Sequence, residues 1–366
     1  MNADLEPLFR PLQLGRLRLR NRIMMSPMTR SFSPGGIPGK NVAAYYARRA
    51  AGGVGLVVTE GAAIEHPAAV DDQAVPHMYG DAALAGWREV TAAVHAAGGA
   101  IMPQLWHQGP LRDPLISAWP DLPGLRPSGL WGTPGVVSYP KEFVARIAPM
   151  TRPMTESEIA DVIDAYGRAA AAAVTAGFDG IAIHGAHGYL IDSFLWADTN
   201  RRSDRWGGSA RARSTFAAEV LRTVRRAVGP DMPILLRLSQ HKQQDYRARL
   251  AETPGELEAL LEPIVSAGVD VLDISTRRLY EPAFAESTRT LTGWVRNITG
   301  LPCVATGSAG LTPQATPVLL AASIARGDAD LIGVGRALLA DPSWAQKIQI
   351  GVTPQGFDTA ALASLT

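Results

Sequence analysis

The chain has 366 residues, 46% of them hydrophobic and 19% charged, as in ordinary globular proteins, and its length admits one large domain or two smaller ones. A formal net charge of +1 leaves no electrostatic footprint for nucleic acid or an anionic membrane, and no run of about 18 apolar residues offers a membrane span. The lone cysteine, Cys303, excludes an internal disulfide framework or a cysteine-ligated cluster; with an N-terminus that lacks a signal-peptide core, it makes a reducing, cytoplasmic setting the expectation.

Leu12, Leu14, Leu17 and Leu19 alternate with polar residues around Gly15-Arg16, which predicts a small hairpin ahead of the main fold. Eight short apolar runs follow, at 23–27, 55–60, 100–105, 180–184, 233–238, 269–275, 302–307 and 330–335. Helical segments separate them. Thr155-Glu156-Ser157-Glu158 is a capping box before an Ala-rich helix, and Thr253-Pro254-Gly255-Glu256 repeats it with proline at the first helical position. Thr312-Pro313 and Asp341-Pro342 read as two more N-cap and proline starts. Eight strands alternating with helices predict an α/β fold, a (β/α)8 TIM barrel, rather than an open doubly wound sheet. No GxGxxG follows the first strand, which counts against a Rossmann domain.

One connection is out of scale. Between Trp106 and Thr155 nine prolines interrupt the chain, with Trp119 and Trp131 among them. A loop of that length inside a compact domain is a functional lid or a disordered segment. The expectation is a partly ordered lid over about 108–152, with 136–139 and 143–147 paired as a hairpin. No internal repeat or linker divides the chain, so a single domain over 1–366 is expected.

The stretch from Gly180 to Trp196 carries the densest chemistry. An apolar strand ends in His184, with His187 and Tyr189 close behind and Gly185 and Gly188 keeping the turn open. Two histidines so spaced are commonly core residues; at the C-terminal end of a barrel strand they stand in the shared reaction cavity. Thr29, Gln104 and Arg237 end other strands. An arginine inside an apolar run needs an anion, either a structural carboxylate or a negatively charged cofactor. Thr29 and Gln104 offer neutral hydrogen bonds suited to a flat heteroaromatic ring. Gly307-Ser308 and Gly335-Arg336 follow the seventh and eighth strands, where this fold holds phosphate groups.

LFRPLQLGRLRLRNRIMMSPMTR, QLWHQG, HGAHGYLIDSFL followed by TNRRSDRWGGS, and LIGVGRALLADP closely resemble the Old Yellow Enzyme family of FMN-dependent ene-reductases, in order from about Pro7 to Trp344. The resemblance implies that Pro27, Met28, Thr29, Gly61 and Gln104 line the flavin ring, with Thr29 near its N5/O4 edge. It implies that Arg237 faces the N1/C2 carbonyl, a cofactor thus replacing the structural carboxylate as its partner. Gly307, Ser308, Gly335 and Arg336 would hold the FMN phosphate. His184, which can also touch the flavin edge, and His187 match the pair that binds the carbonyl oxygen of an activated alkene, and Tyr189 matches the proton donor. Thr29 stands where one branch of the family has cysteine, and the chain departs from that branch.

The residues are consistent with that chemistry. Hydride arriving at the β-carbon of an enone builds charge on the carbonyl oxygen, which two imidazoles can stabilise while a neutral tyrosine protonates the α-carbon. The expected activity is ping-pong reduction of activated alkenes (enones, with nitroalkenes and quinones as further acceptors) by NAD(P)H through FMN. The expected partner is a small-molecule alkene, with a homo-oligomer admissible. A metal-dependent barrel hydrolase is a rival, but it needs several converging ligands, and the first strand reads Met24-Met25-Ser26-Pro27-Met28. A glycosidase needs two flanking carboxylates, and Glu60 has no evident second. A flavin-binding barrel without turnover is the third reading.

Overall fold

The computed structural model describes residues 3–137 and 139–365. Eight parallel strands close into a barrel in chain order: β3 (Ile23–Met25), β4 (Leu56–Ala63), β5 (Ala100–Trp106), β6 (Ile181–His184), β7 (Ile234–Ser239), β8 (Val271–Ser275), β9 (Cys303–Thr306) and β10 (Leu331–Val334). β10 pairs back onto β3, with Ile332 opposite Ile23. All eight expected strands are present, and the fold is the expected (β/α)8 barrel.

Ahead of it, β1 (Leu12–Leu14) and β2 (Leu17–Leu19) form the expected antiparallel hairpin. Leu14 and Leu19 join one apolar cluster with Met24, Leu56, Met102, Leu235, Val271 and Val304. Gly15 lies beside Asp231 and Pro233, just before β7 begins. The hairpin therefore plugs the N-terminal end of the barrel.

Strand periodicity explains where the site must be. Side chains alternate between lumen and outer helices. Ala182, Leu235, Val271 and Val304 fill the lumen, while Ile181, Ile183, Leu236, Leu272 and Ile274 face the outer layer. Two residues further along each strand, the same lumen-facing rows carry His184, Arg237, Asp273 and Thr306, and Ser275 two beyond Asp273. An apolar floor thus supports a polar layer at the C-terminal mouth.

The helix Glu156–Thr175 begins with the expected capping box: the Thr155 hydroxyl accepts from Glu158 N–H and the Glu158 carboxylate from Thr155 N–H. The helix Pro254–Ser266 is capped by Thr253, but its Glu256 accepts from Glu252 N–H instead. Two expected starts shift. Thr312-Pro313 opens only a single 3-10 turn, and the helix Pro317–Ala325 is capped by Thr316, one turn later. After Asp341-Pro342 the helix runs from Trp344 to Gln349, while the Asp341 carboxylate accepts from Ser343 N–H and Lys347. At Thr312 the chain returns to extended backbone at Thr316, so only the 3-10 turn forms, whereas Pro342 and Ser343 make a turn that leads directly into the Trp344 helix.

The proline-rich excursion from β5 to the Glu156 helix is ordered, but not as a hairpin. Residues 143–147 lie in an α-helix, Lys141–Ile147; no strand forms over the described residues of 136–139, and residue 138 lies outside them. Prolines deprive the segment of backbone donors, and two buried arginines supply them. Arg112 donates to the carbonyls of Trp119, Leu122 and Val70, and Arg126 to those of Ile147, Pro149 and Gly129. Arg146 reaches back to the buried Asp113 carboxylate at 2.8 Å. Leu111, Trp131 and Ile147 form a small core, against which Tyr139 and Tyr189 pack. No helix among the described residues is long and apolar enough to cross a membrane.

Candidate active site

His184 ends β6 directly opposite Arg237 of β7, which is in turn opposite Asp273 of β8. The chain then turns through Gly185 and Ala186 to His187, whose φ of 63° lies in the left-handed region, and Gly188 at 80°. A buried ion pair fixes this turn. Lys242 Nζ and Asp192 Oδ1 lie 2.6 Å apart with both side chains fully buried, and Asp192 Oδ2 accepts from Gly188 N–H at 2.7 Å. His187 N–H donates to Ser239 Oγ at 2.7 Å.

Within this frame the three expected residues meet. The His184 and His187 rings are 5.2 Å apart and nearly perpendicular, and the Tyr189 ring lies 4.8 Å from His184. Trp106 closes the group, stacked at 6.1 Å on His184 and edge-on at 5.0 Å to Tyr189. Burial, reinforced by the positive charge of Arg237, pushes both histidines well below the usual imidazole range, so both are neutral. Ala186 N–H donates to His184 Nδ1 at 3.3 Å, which places the proton of that neutral ring on Nε2. His187 Nε2 is engaged with Ser275 Oγ at 2.9 Å. Burial and the neighbouring Tyr139 hydroxyl raise the Tyr189 phenol well above its ordinary value.

Arg237 is not without a protein carboxylate, and this corrects the expectation that a cofactor replaces one. Its Nε lies 3.5 Å from Asp273 Oδ2, and Nη2 donates to Ser275 Oγ at 3.3 Å. Asp273 also accepts from Thr306 Oγ1 at 2.7 Å. At 3.5 Å the ion pair is not a hydrogen bond, and Arg237 Nε and Asp273 Oδ2 both remain buried without one.

Gln104 lies opposite Gly61 on β4, where the β4–β5 register shifts, and its Nε2 is likewise buried without a partner. A Cβ on Gly61 would stand 2.5 Å from the Trp106 ring, so only glycine allows that indole its position. Pro27 and Met28 are half-buried, and Thr29 is exposed at the mouth. The loop that carries Thr29 is anchored by Glu60, whose carboxylate accepts from Arg30 and Ser31 N–H at 2.8 and 2.9 Å. Burial pushes Glu60 up to about 7, against the pull of those two N–H groups.

β9 and β10 are neighbours, so Gly307-Ser308 and Gly335-Arg336 open side by side. Ser308 has φ 57°, and a Cβ on Gly307 would meet the Thr276 carbonyl at 2.6 Å. The Ser308 hydroxyl donates to the Arg277 carbonyl. Met28 reaches the Gly335 backbone, joining the loops after β3 and β10. Arg336 is apart from this cluster, exposed, with its guanidinium 5.8 Å from the Phe357 ring.

A sequence model of the NADH:flavin oxidoreductase / NADH oxidase family matches residues 7–355. The chain belongs to this family. It is 34% identical over 354 residues to an NADH oxidase of Thermoanaerobacter brockii, covering 94% of this chain and 51% of that protein. The chain thus spans about half the length of that curated relative. Two solved structures share the fold. Morphinone reductase in complex with tetrahydroNAD superposes with a TM-score of 0.81 at 28% identity, covering 97% of this chain and 93% of that one. An Old Yellow Enzyme homologue from Zymomonas mobilis gives 0.82 at 26% identity, covering 97% and 96%. The resemblance to the Old Yellow Enzyme family read from the sequence holds.

The family's cofactor is FMN, and the residues present fit it. An amide and a guanidinium N–H without hydrogen-bond partners, Gln104 Nε2 and Arg237 Nε, stand on β5 and β7 of the same mouth, the guanidinium beside Asp273. Such donors suit the carbonyl and nitrogen acceptors of a flat ring. Sequence reading did not assign Asp273, Asp192 or Lys242. Asp273 was hidden inside an apolar strand run. The Asp192–Lys242 pair joins residues 50 apart, which no local pattern reports.

Proposed function

We propose that the chain is an FMN-dependent oxidoreductase that takes hydride from NADH or NADPH and reduces activated alkenes, chiefly α,β-unsaturated carbonyl compounds. Nitroalkenes and quinones are further acceptors. One observation carries this reading: a tautomer-fixed imidazole, a second neutral imidazole and a protonated phenol converge on one side of the barrel mouth. FMN, when bound, would supply the hydride carrier between nicotinamide and alkene.

The chain's residues do the rest. Thr29, Gln104 and Arg237 hold the ring edges while Pro27, Met28 and Gly61 line its face. Gly307, Ser308, Gly335 and Arg336 would hold its phosphate. His184 donates from Nε2 to the substrate oxygen on which charge develops. Ser275, its oxygen accepting from Arg237, turns its own proton to His187 Nε2 and leaves the His187 proton on Nδ1 for the same oxygen. Both donors are placed before charge appears, and removing one such donor typically costs ~10²–10³ in rate. Tyr189, neutral at physiological pH, delivers a proton to the α-carbon. The 108–152 excursion closes the mouth as a lid on a single domain.

Anaerobic incubation with NAD(P)H and a simple cyclic enone tests this reading. One saturated ketone per nicotinamide oxidised is expected; nicotinamide oxidation that proceeds only with dioxygen would sink the alkene assignment.

A further inference from the structure

Beside the site, the loops after β7 and β8 enclose a groove lined by Gln240, Arg247, Arg249, Arg277, Arg278 and Glu281. The four arginines are exposed. A chain of net charge +1 has no general excess of cations, so four arginines in a lining that holds one carboxylate, Glu281, form a local feature. Arg278 pairs with that carboxylate, Glu281, at 3.2 Å, and Arg249 approaches Glu252 at 3.9 Å. Among the described residues, Arg247 and Arg277 form no ion pair. Arg277 lies instead over the Tyr246 ring at 4.1 Å, which orients its donors without neutralising them.

The groove is linked to the reaction centre by a row of rings. His187 lies 5.0 Å from His241, His241 lies 5.8 Å from Tyr246, and Arg277 caps Tyr246. A small enone bound at His184 and His187 spans one of these steps, whereas a dinucleotide spans the whole row. The geometry assigns this groove to the 2′-phosphate of NADPH, held by Arg247 and Arg277 when the nicotinamide ring lies at the mouth. Guanidinium forks suit phosphate oxygens, and the loop position explains how a barrel without a dinucleotide fingerprint distinguishes the two reductants.

The inference rests on the nicotinamide-driven reading above, and its test separates the two. Rapid-mixing reduction of the holoenzyme yields a Kd for NADPH and one for NADH. Wild type should favour NADPH by roughly tenfold or more, an advantage that shrinks as salt rises. Arg247→Ala/Arg277→Ala should abolish that ratio while FMN content stays at wild-type level. Equal affinities in wild type, or an unchanged ratio in the variant, would overturn the assignment. Loss of FMN from the variant would instead give these arginines to the FMN phosphate. A carboxylated enone compared with its methyl ester covers the other anionic source: a variant effect confined to the acid would transfer the groove to the substrate and overturn the proposal. Calorimetry with adenosine 2′,5′-bisphosphate reads the groove without turnover. Binding that the double variant loses is expected even if neither nicotinamide reduces the flavin, a result that would defeat the functional reading alone. No binding to wild type would defeat the groove.

Discussion

At the scale of single residues, the site divides donors by what already satisfies them. His184 has its Nδ1 occupied by a backbone N–H, so His184→Ala deletes one prepared donor. His187→Ala deletes another and also frees Ser275. Either change should slow alkene reduction by ~10²–10³ while leaving dithionite bleaching of the flavin near wild type. Unchanged enone turnover in both variants would remove the oxyanion assignment. Glu60 gives a pH-dependent prediction. Its folded pKa of about 7 stands above its ordinary 4.5, so the folded chain binds the proton more tightly than the unfolded chain. The associated stability is full below the ordinary value and is lost as pH rises through about 7, by at most about 3 kcal/mol. Glu60→Gln keeps an acceptor for the Arg30 and Ser31 N–H groups and removes the titration. Its Tm should therefore be flatter than wild type from about pH 5 to about pH 8, and a wild-type Tm that rises over that window would contradict the assignment. Much of this was legible in the sequence: His184 and Arg237 declare themselves by interrupting apolar strands at their C-terminal ends. Asp273 sits in the middle of such a strand, so its partnership with Arg237 appears only once β7 and β8 are in register.

At the scale of elements, short apolar runs were enough to place all eight barrel strands, and period-2 alternation placed the hairpin that plugs them. Helix starts were legible where a side chain completed the cap, as at Thr155, and misread where Thr-Pro or Asp-Pro made only a turn. The excursion after β5 resisted reading because its order comes from side chains rather than backbone pairing. Arg126 joins carbonyls at Gly129, Ile147 and Pro149, a convergence without any sequence period. Arg126→Ala leaves the buried Ile147 carbonyl without its donor, at roughly 1–3 kcal/mol, and removes the tie to Pro149, while Gly129 keeps the Thr151 N–H. The barrel should remain folded, but limited proteolysis within 107–154 should accelerate by roughly tenfold or more. Cleavage at the wild-type rate would show that the excursion is held elsewhere.

At the scale of the whole molecule, one mouth gathers side chains from seven of the eight barrel strands or the turns that follow them, which is why the resemblance to Old Yellow Enzyme runs nearly end to end. The proposed function requires this mouth to deliver hydride and proton to carbon. Tyr189→Phe tests it most directly, because the change keeps the ring and its packing against Trp106 and deletes one hydroxyl. FMN content and reduction by NAD(P)H should survive, since neither needs a proton on carbon. Rapid-reaction reoxidation should then slow markedly with an enone, less with a nitroalkene, whose nitronate can leave before carbon is protonated, and least with a quinone, which takes its protons on oxygen from water. Equal slowing on all three acceptors, or none on the enone, would contradict the assignment of Tyr189 as the carbon acid.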